Sequence, residues 1–187
     1  PIAEYPEIQF SLKMRLGWEN ASECMVLVEL LNTLRLSRIA LHARTGKQQY
    51  KGHPDLEAFQ GFYELCQHPL YYNGGIESLS DIRQILIRFP LLKGVFIGRG
   101  LLSSPLLAKE FKGNETFLPE QRMSIYFAFH EELFSAYSQV LQGETQLLVK
   151  MKTLWEYFLP ETDRKLLKRI KKSTRLQQYT ESVKAIF

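Results

Sequence analysis

Between residues 8 and 97 the spacing of apolar positions switches repeatedly between a period of two and a period near 3.6. Residues 8–16, Ile-Gln-Phe-Ser-Leu-Lys-Met-Arg-Leu, alternate. This predicts a strand with Phe10, Leu12, Met14 and Leu16 on one face and Lys13 and Arg15 on the other. A loop at 17–20 leads to a helix over 21–34, with Met25, Val28, Leu31 and Leu34 at core spacing. A strand over 38–41 ends at His42, and a helix over 54–66 carries Leu56, Phe59, Phe62, Tyr63 and Leu65. Residues 69–72 read as a third strand, turned by Asn73-Gly-Gly75 into a helix over 79–89 with Ser80 and Asp81 near its start as caps. Residues 94–97 read as a fourth strand, running into Gly98-Arg-Gly100. Residues 1–111 therefore form four consecutive βα units with the spacing of a parallel α/β fold.

Beyond Gly113 that rhythm stops. Pro119 opens a long, aromatic-rich helix to Leu141 that Gly143 ends. Leu147, Leu148, Met151, Leu154, Trp155 and Phe158 keep a helical period as far as Pro160. A basic helix over 163–172 has Leu166, Leu167 and Ile170 as its apolar side, and Val183 and Ile186 mark a last short one, so a small helical bundle is expected.

Composition narrows this only slightly. A chain of 187 residues with 45% apolar content is long enough for one or two domains. A net charge of +4 suits a nucleic-acid binder but also many ordinary globular proteins. Cys24 and Cys66 sit in apolar helical patterns with neither a Cys-x-x-Cys pair nor metal ligands nearby. They read as reduced core residues, consistent with a cytoplasmic protein. No run approaches the roughly 18 apolar residues of a membrane span. The chain opens at Pro1, without Met, directly before a strand, as a fragment would.

The candidate chemistry gathers in His42-Ala-Arg-Thr-Gly-Lys-Gln-Gln-Tyr-Lys-Gly52, a βα loop holding an imidazole, a guanidinium, lysines, amides and a phenol. Such a mixture suits a polyanion, because cations position phosphates while planar groups stack on bases. The glycines after the third and fourth strands would let backbone approach a phosphate, with Arg99 as a bidentate cation. As bare motifs, both are more often simple tight turns. Between residues 148 and 175, nine lysines and arginines face three acids, which is either a solvated surface or a polyanion contact. Lys150 and Tyr157 are seven apart and so lie on one helix face, which offers a phosphate contact beside a ring.

HARTGKQQYKG, with SLKMRLGW before it and YYNGGI and FIGRGLL after it, resembles the tRNA-dihydrouridine synthases. The four pieces lie in register along about a hundred residues, and the helical tail is most similar to the subfamily acting at uridine 16. These are FMN enzymes that use NADPH to reduce a tRNA uridine. The resemblance implies the C-terminal half of a TIM (β/α)₈ barrel over 1–113, SLKMRLG matching the barrel's fifth strand, followed by an all-α tRNA-binding domain over 114–187. It implies Lys13, His42, Asn73, Gly74, Gly75, Gly98 and Arg99 as flavin contacts. For RNA it implies Arg15, Arg44, Lys47, Tyr50, Lys150, Lys152, Tyr157, Lys171, Lys172 and Arg175. The family's proton-donating cysteine belongs to an Asn-x-x-Cys-Pro segment absent here, so neither Cys24 nor Cys66 inherits that role. An N-terminal half-barrel is then the expected partner. The alternatives are a non-catalytic RNA-binding module and an FMN barrel enzyme acting on a small molecule.

Overall fold

The computed structural model describes Tyr5 and residues 7–187. It forms two compact units, one reaching to Gly98 and the other running from Arg99 to Phe187. The first unit contains β1 (Phe10–Arg15), α1 (Glu23–Thr33), β2 (Leu36–His42), α2 (Leu56–Leu65), β3 (Leu70–Asn73), α3 (Leu79–Arg88) and β4 (Gly94–Phe96). Its strands form one parallel sheet in the order β1-β2-β3-β4.

Register decides which side chains share a face. Met14, Leu41, Tyr72 and Val95 make one cross-strand row, and Leu12, Ile39 and Leu70 another. Their side is the apolar one, and Cys24, Val28 and Leu31 of α1, Phe59 and Phe62 of α2, and Ile82 and Ile85 of α3 are all buried. Phe59 is fully buried and meets Tyr72 and Phe89 edge-on, with ring centroids 4.9 and 5.0 Å apart. Burying such a ring stabilises the fold by about 2–3 kcal/mol. The opposite face is polar, with Lys13 and Arg15 on β1 and His42 and Asn73 at the ends of the next two strands.

Helix starts follow from local hydrogen bonding. The Asp55 carboxylate accepts the Ala58 N–H at 2.9 Å, so Pro54 and Asp55 precede α2 and do not form its first turn. Ser78, not Ser80, caps α3, and it forms a reciprocal capping box with Asp81.

The second unit is helical: α4 (Arg99–Ser103), α5 (Leu107–Gly113), α6 (Pro119–Val140), α7 (Gly143–Leu154), α8 (Arg164–Lys172) and α9 (Leu176–Lys184). The expected boundary at 113/114 thus falls inside it, and α4 and α5 pack with the helices. Its core joins Leu106, Tyr126, Met151, Trp155, Phe158, Ile170, Tyr179 and Val183. Gly143, with φ of +83°, opens α7 and does not close α6. The apolar period through Phe158 is not one helix. Backbone N–H groups of Trp155 and Tyr157 bond three residues back, Leu159 is left-handed with φ of +48°, and Pro160 disfavours helical backbone before it.

Candidate functional site

At the C-terminal end of the sheet the register sets Arg15 beside His42, His42 beside Asn73 and Asn73 beside Phe96. Partners in parallel strands project to the same side, so these four form one row on the polar face. Lys13 lies one row below on that face, paired with Ala40 and exposed. Asn73 donates its amide to the Phe96 carbonyl at 2.8 Å, tying the ends of β3 and β4 together. Gly74 and Gly75 follow with φ of +137° and +60°, values that strongly favour glycine. A Cβ on Gly75 would also come within 2.9 Å of Pro54.

Gly98 lies two residues past β4, and a Cβ there would meet nothing within 4 Å. Arg99 and Gly100 are not in a glycine turn. Arg99 opens α4, Gly98 has no left-handed backbone, and Arg99 belongs to the second unit.

The loop after β2 is pinned from several sides. Pairing with the loop after β1 continues past the strands: Leu16 N–H donates to Arg44 O at 3.2 Å, Gly46 N–H to Gly17 O at 2.8 Å, and Lys47 N–H to Trp18 O at 2.9 Å. Arg15 reaches across with Nη1 to Thr45 O at 2.7 Å and Gln49 O at 3.0 Å, and its guanidinium lies 5.7 Å from the centre of the Tyr50 ring. Arg44 is buried, with Nη1 3.3 Å from His42 Nε2 and Nη2 donating to Gly52 O at 3.0 Å. Arg15 and Arg44 therefore organise the loop from within. Lys47, ion-paired with Glu19, and Tyr50 are exposed on it.

In the second unit, Lys150 and Tyr157 do not share a helix face, because α7 ends at Leu154. The Lys150 ammonium lies 5.4 Å from the Tyr137 ring centre instead. Lys152 donates to the carbonyl of Ser173, the residue that caps the C-terminus of α8. Along α8 it is Lys165, Lys168, Arg169 and Lys172 that line a depression of about 420 Å³, together with Ser173, Gln178, Glu181 and Ser182. None of those four cations makes an ion pair among the described residues. Lys171 and Arg175 are exposed but do not line the depression.

Buried polar groups complete this unit. The Trp155 indole can only donate, so Tyr179 Oη accepts its N–H at 2.9 Å and gives its own proton to His130 Nε2 at 2.6 Å. His130 is then the neutral Nδ1–H tautomer, facing Glu131 at 3.1 Å. Burial holds the imidazole below its usual pKa, with Glu131 pulling the other way. Burial also pushes the Tyr72 phenol of the first unit up to about 12.

Cys24 is buried in α1 and Cys66 ends α2; both are free thiols, raised by burial, on helices that cover the apolar side. Among the described residues no group of His, Cys, Asp and Glu is arranged to hold a metal, and no helix is long and apolar enough to cross a membrane.

A parallel sheet with a polar row at its C-terminal strand ends and a glycine turn beside it marks an α/β protein with its site in the βα loops. A family model described as dihydrouridine synthase matches residues 3–186, and the chain belongs to that family. It is 34% identical over 100 residues to a probable tRNA-dihydrouridine synthase of Rhizobium leguminosarum bv. phaseoli, covering 53% of this chain and 31% of the relative. It is 35% identical over 105 residues to a protein of the same description from Aquifex aeolicus, covering 56% and 33%. A tRNA-dihydrouridine(16) synthase of Escherichia coli is 28% identical over 110 residues, 58% and 35% of the two chains. The matched part spans about a third of the length of these curated relatives.

Proposed function

We propose that this chain is part of an FMN-dependent tRNA-dihydrouridine synthase, of the kind acting at uridine 16, that reduces a uridine of the tRNA D-loop with NADPH as reductant. The four βα units are then the C-terminal half of a TIM barrel, closed by an N-terminal half-barrel. The helical unit is a tRNA-binding domain, and the enzyme works in the cytoplasm. The observation that carries this is the row Arg15, His42, Asn73 and Phe96 on the polar side of the sheet, because that side is a barrel's interior and that end is where barrel sites lie.

The residues at the site fit a flavin. An exposed ammonium at Lys13, an imidazole at His42, an amide at Asn73, and backbone at Gly74, Gly75 and Gly98 supply hydrogen-bonding groups for ring carbonyls. They also suit a phosphate, for which the resemblance makes Arg99 a further candidate. When bound, FMN would provide the hydride for uracil C6. This chain's part is to bind and orient, and Arg15 and Arg44 fix the loop on which Lys47 and Tyr50 meet RNA. Lys150, Lys152, Tyr157, Lys171, Lys172 and Arg175 extend the RNA surface, with Lys165, Lys168 and Arg169 beside them. Neither cysteine lies among the polar-face residues, so the proton for C5 comes from elsewhere in the complete enzyme.

The test is restoration of the modified base. The full-length protein carrying this chain, expressed in a strain stripped of its dihydrouridine synthases, should return dihydrouridine to the tRNA D-loop, read by mass spectrometry of the digested tRNA. If the tRNA stays unmodified while the protein accumulates with bound flavin, a small-molecule oxidoreductase takes its place. If it accumulates without flavin yet retains tRNA, a non-catalytic RNA-binding module does.

A further inference from the structure

Trp18 is 65% exposed, whereas the other tryptophan, Trp155, is 2% exposed in the helical core. An indole left in water on a well-ordered turn loses the favourable burial its size offers, so its rigid presentation calls for a partner. Trp18 is held from both sides. Its backbone N–H donates to Glu23 Oε2 at 2.8 Å, its backbone carbonyl accepts the Lys47 N–H at 2.9 Å, and Glu23 also accepts from Glu19 N–H at 2.9 Å and Asn20 N–H at 2.7 Å. The ring rests on Gly46. A Cβ there would lie far inside contact distance of Trp18 Cε3, so the glycine serves as a flat seat even though its backbone is not left-handed.

The rim decides what the open ring face accepts. Glu19 and Asn20 follow it, and Lys47 and Gln48 stand across from it on the paired loop, with Tyr50, 60% exposed, farther along. An apolar protein partner or a lipid surface would need a cluster of neighbouring apolar side chains, and of the rim residues named only Tyr50 offers apolar surface. A ring with an open face beside amides and the ammonium of Lys47, itself paired with Glu19, matches an unpaired nucleobase, whose face stacks while a phosphate competes for Lys47.

We infer that Trp18 is a stacking platform for an unpaired base of the bound RNA, seated by Gly46 at the C-terminal end of β1; this rests on the RNA-binding reading above. The seat, the paired loops and the neighbouring Lys47 belong to the same unit, so the platform moves as one piece with the HARTGKQQYKG loop.

The full-length protein is titrated with an unmodified tRNA transcript, following tryptophan emission together with the anisotropy of labelled RNA. Emission attributable to Trp18, taken as the difference between wild type and Trp18→Leu, should be quenched as RNA binds and unchanged by inorganic polyphosphate. Trp18→Leu should bind about tenfold more weakly with the same salt dependence, because a stacking contact but no charge is lost. Trp18→Phe should recover most of the affinity, and Gly46→Ala, which lifts the ring from its seat, should resemble Trp18→Leu. RNA bound at full affinity by Trp18→Leu, or bound by wild type without quenching, overturns the platform and leaves the RNA-binding reading intact. Quenching by polyphosphate overturns it as well. Wild type that binds no RNA removes both.

Discussion

The guanidinium of Arg15 lies over the ring of Tyr50, 5.7 Å from its centre, while its Nη1 bonds two carbonyls of the same loop, Thr45 O and Gln49 O. One side chain from β1 thereby fixes both ends of a turn that contains Gln49 at φ of +53°.

Arg15→Lys keeps the charge and removes the forked donor, so it separates the two roles. We expect amide exchange across residues 45–52 to quicken by about tenfold, a local cost of about 1.4 kcal/mol, with the global melt almost unmoved. Hydrogen exchange followed by mass spectrometry checks this. A loop as protected as in wild type would mean that the pairing with residues 16–18 suffices without Arg15.

Tyr179 stands between two buried groups that need it. Tyr179→Phe would strip the Trp155 N–H of its acceptor and His130 Nε2 of its donor. Leaving buried groups unsatisfied costs about 1–3 kcal/mol each, so a loss of about 3 kcal/mol in denaturant unfolding is expected. A change within experimental error would show that water reaches both groups.

His130 gives the helical unit a pH dependence with a definite sign. Released by unfolding, the imidazole takes up a proton below its ordinary value of 6.5, while burial keeps the native ring neutral. The unfolded state therefore binds more protons, and stability falls as pH drops below about 6.5, by at most about 1.4 kcal/mol per pH unit, until the native ring also protonates. Above that pH this contribution is constant. Unfolding curves between pH 5 and 8 should show the slope, and His130→Gln should flatten it.

Lys150 and Lys152 separate on the same measurements. Lys150→Ala, which loses an exposed ammonium beside Tyr137, should lower the salt slope of tRNA binding by roughly 0.7–0.9 and leave stability alone. Lys152→Ala removes the donor to Ser173 O and should lower the melting temperature of the helical unit. Equal effects of the two on both readouts would contradict this division.

Expressed alone, residues 1–187 should associate. The sheet's polar face and edge strands invite another chain, and Val26, Leu30, Ile87 and Leu91 are 82, 60, 80 and 76% exposed on or beside α1 and α3. Light scattering at micromolar concentration should report a mass above the monomer, and a sharply melting monomer would count against the half-barrel.

Much of this was legible in the chain itself. Alternation at 10–16 placed Lys13 and Arg15 on one face, and short apolar runs before His42 and Asn73 located the next strand ends, because strand periodicity is a local property. What failed was longer in range. Apolar spacing carried the helix through Tyr157, since periodicity cannot register the turn forced by Leu159 and Pro160. Arg44 and Arg15 read as RNA-facing cations, since only the folded loop reveals that carbonyls from residues 45, 49 and 52 converge on them. The seat that Gly46 offers Trp18 joins two loops separated by a whole helix, and no local pattern announces it.

The sheet's order, β1-β2-β3-β4, means that every strand lies beside the one made just before it. No strand has to slip between two that are already paired, and each pairing closes a single βα crossover. Each βα unit can therefore settle on its predecessor as it leaves the ribosome, so that these four strands are added one after another. Its last strand, only three residues long, is then also the last to gain a neighbour.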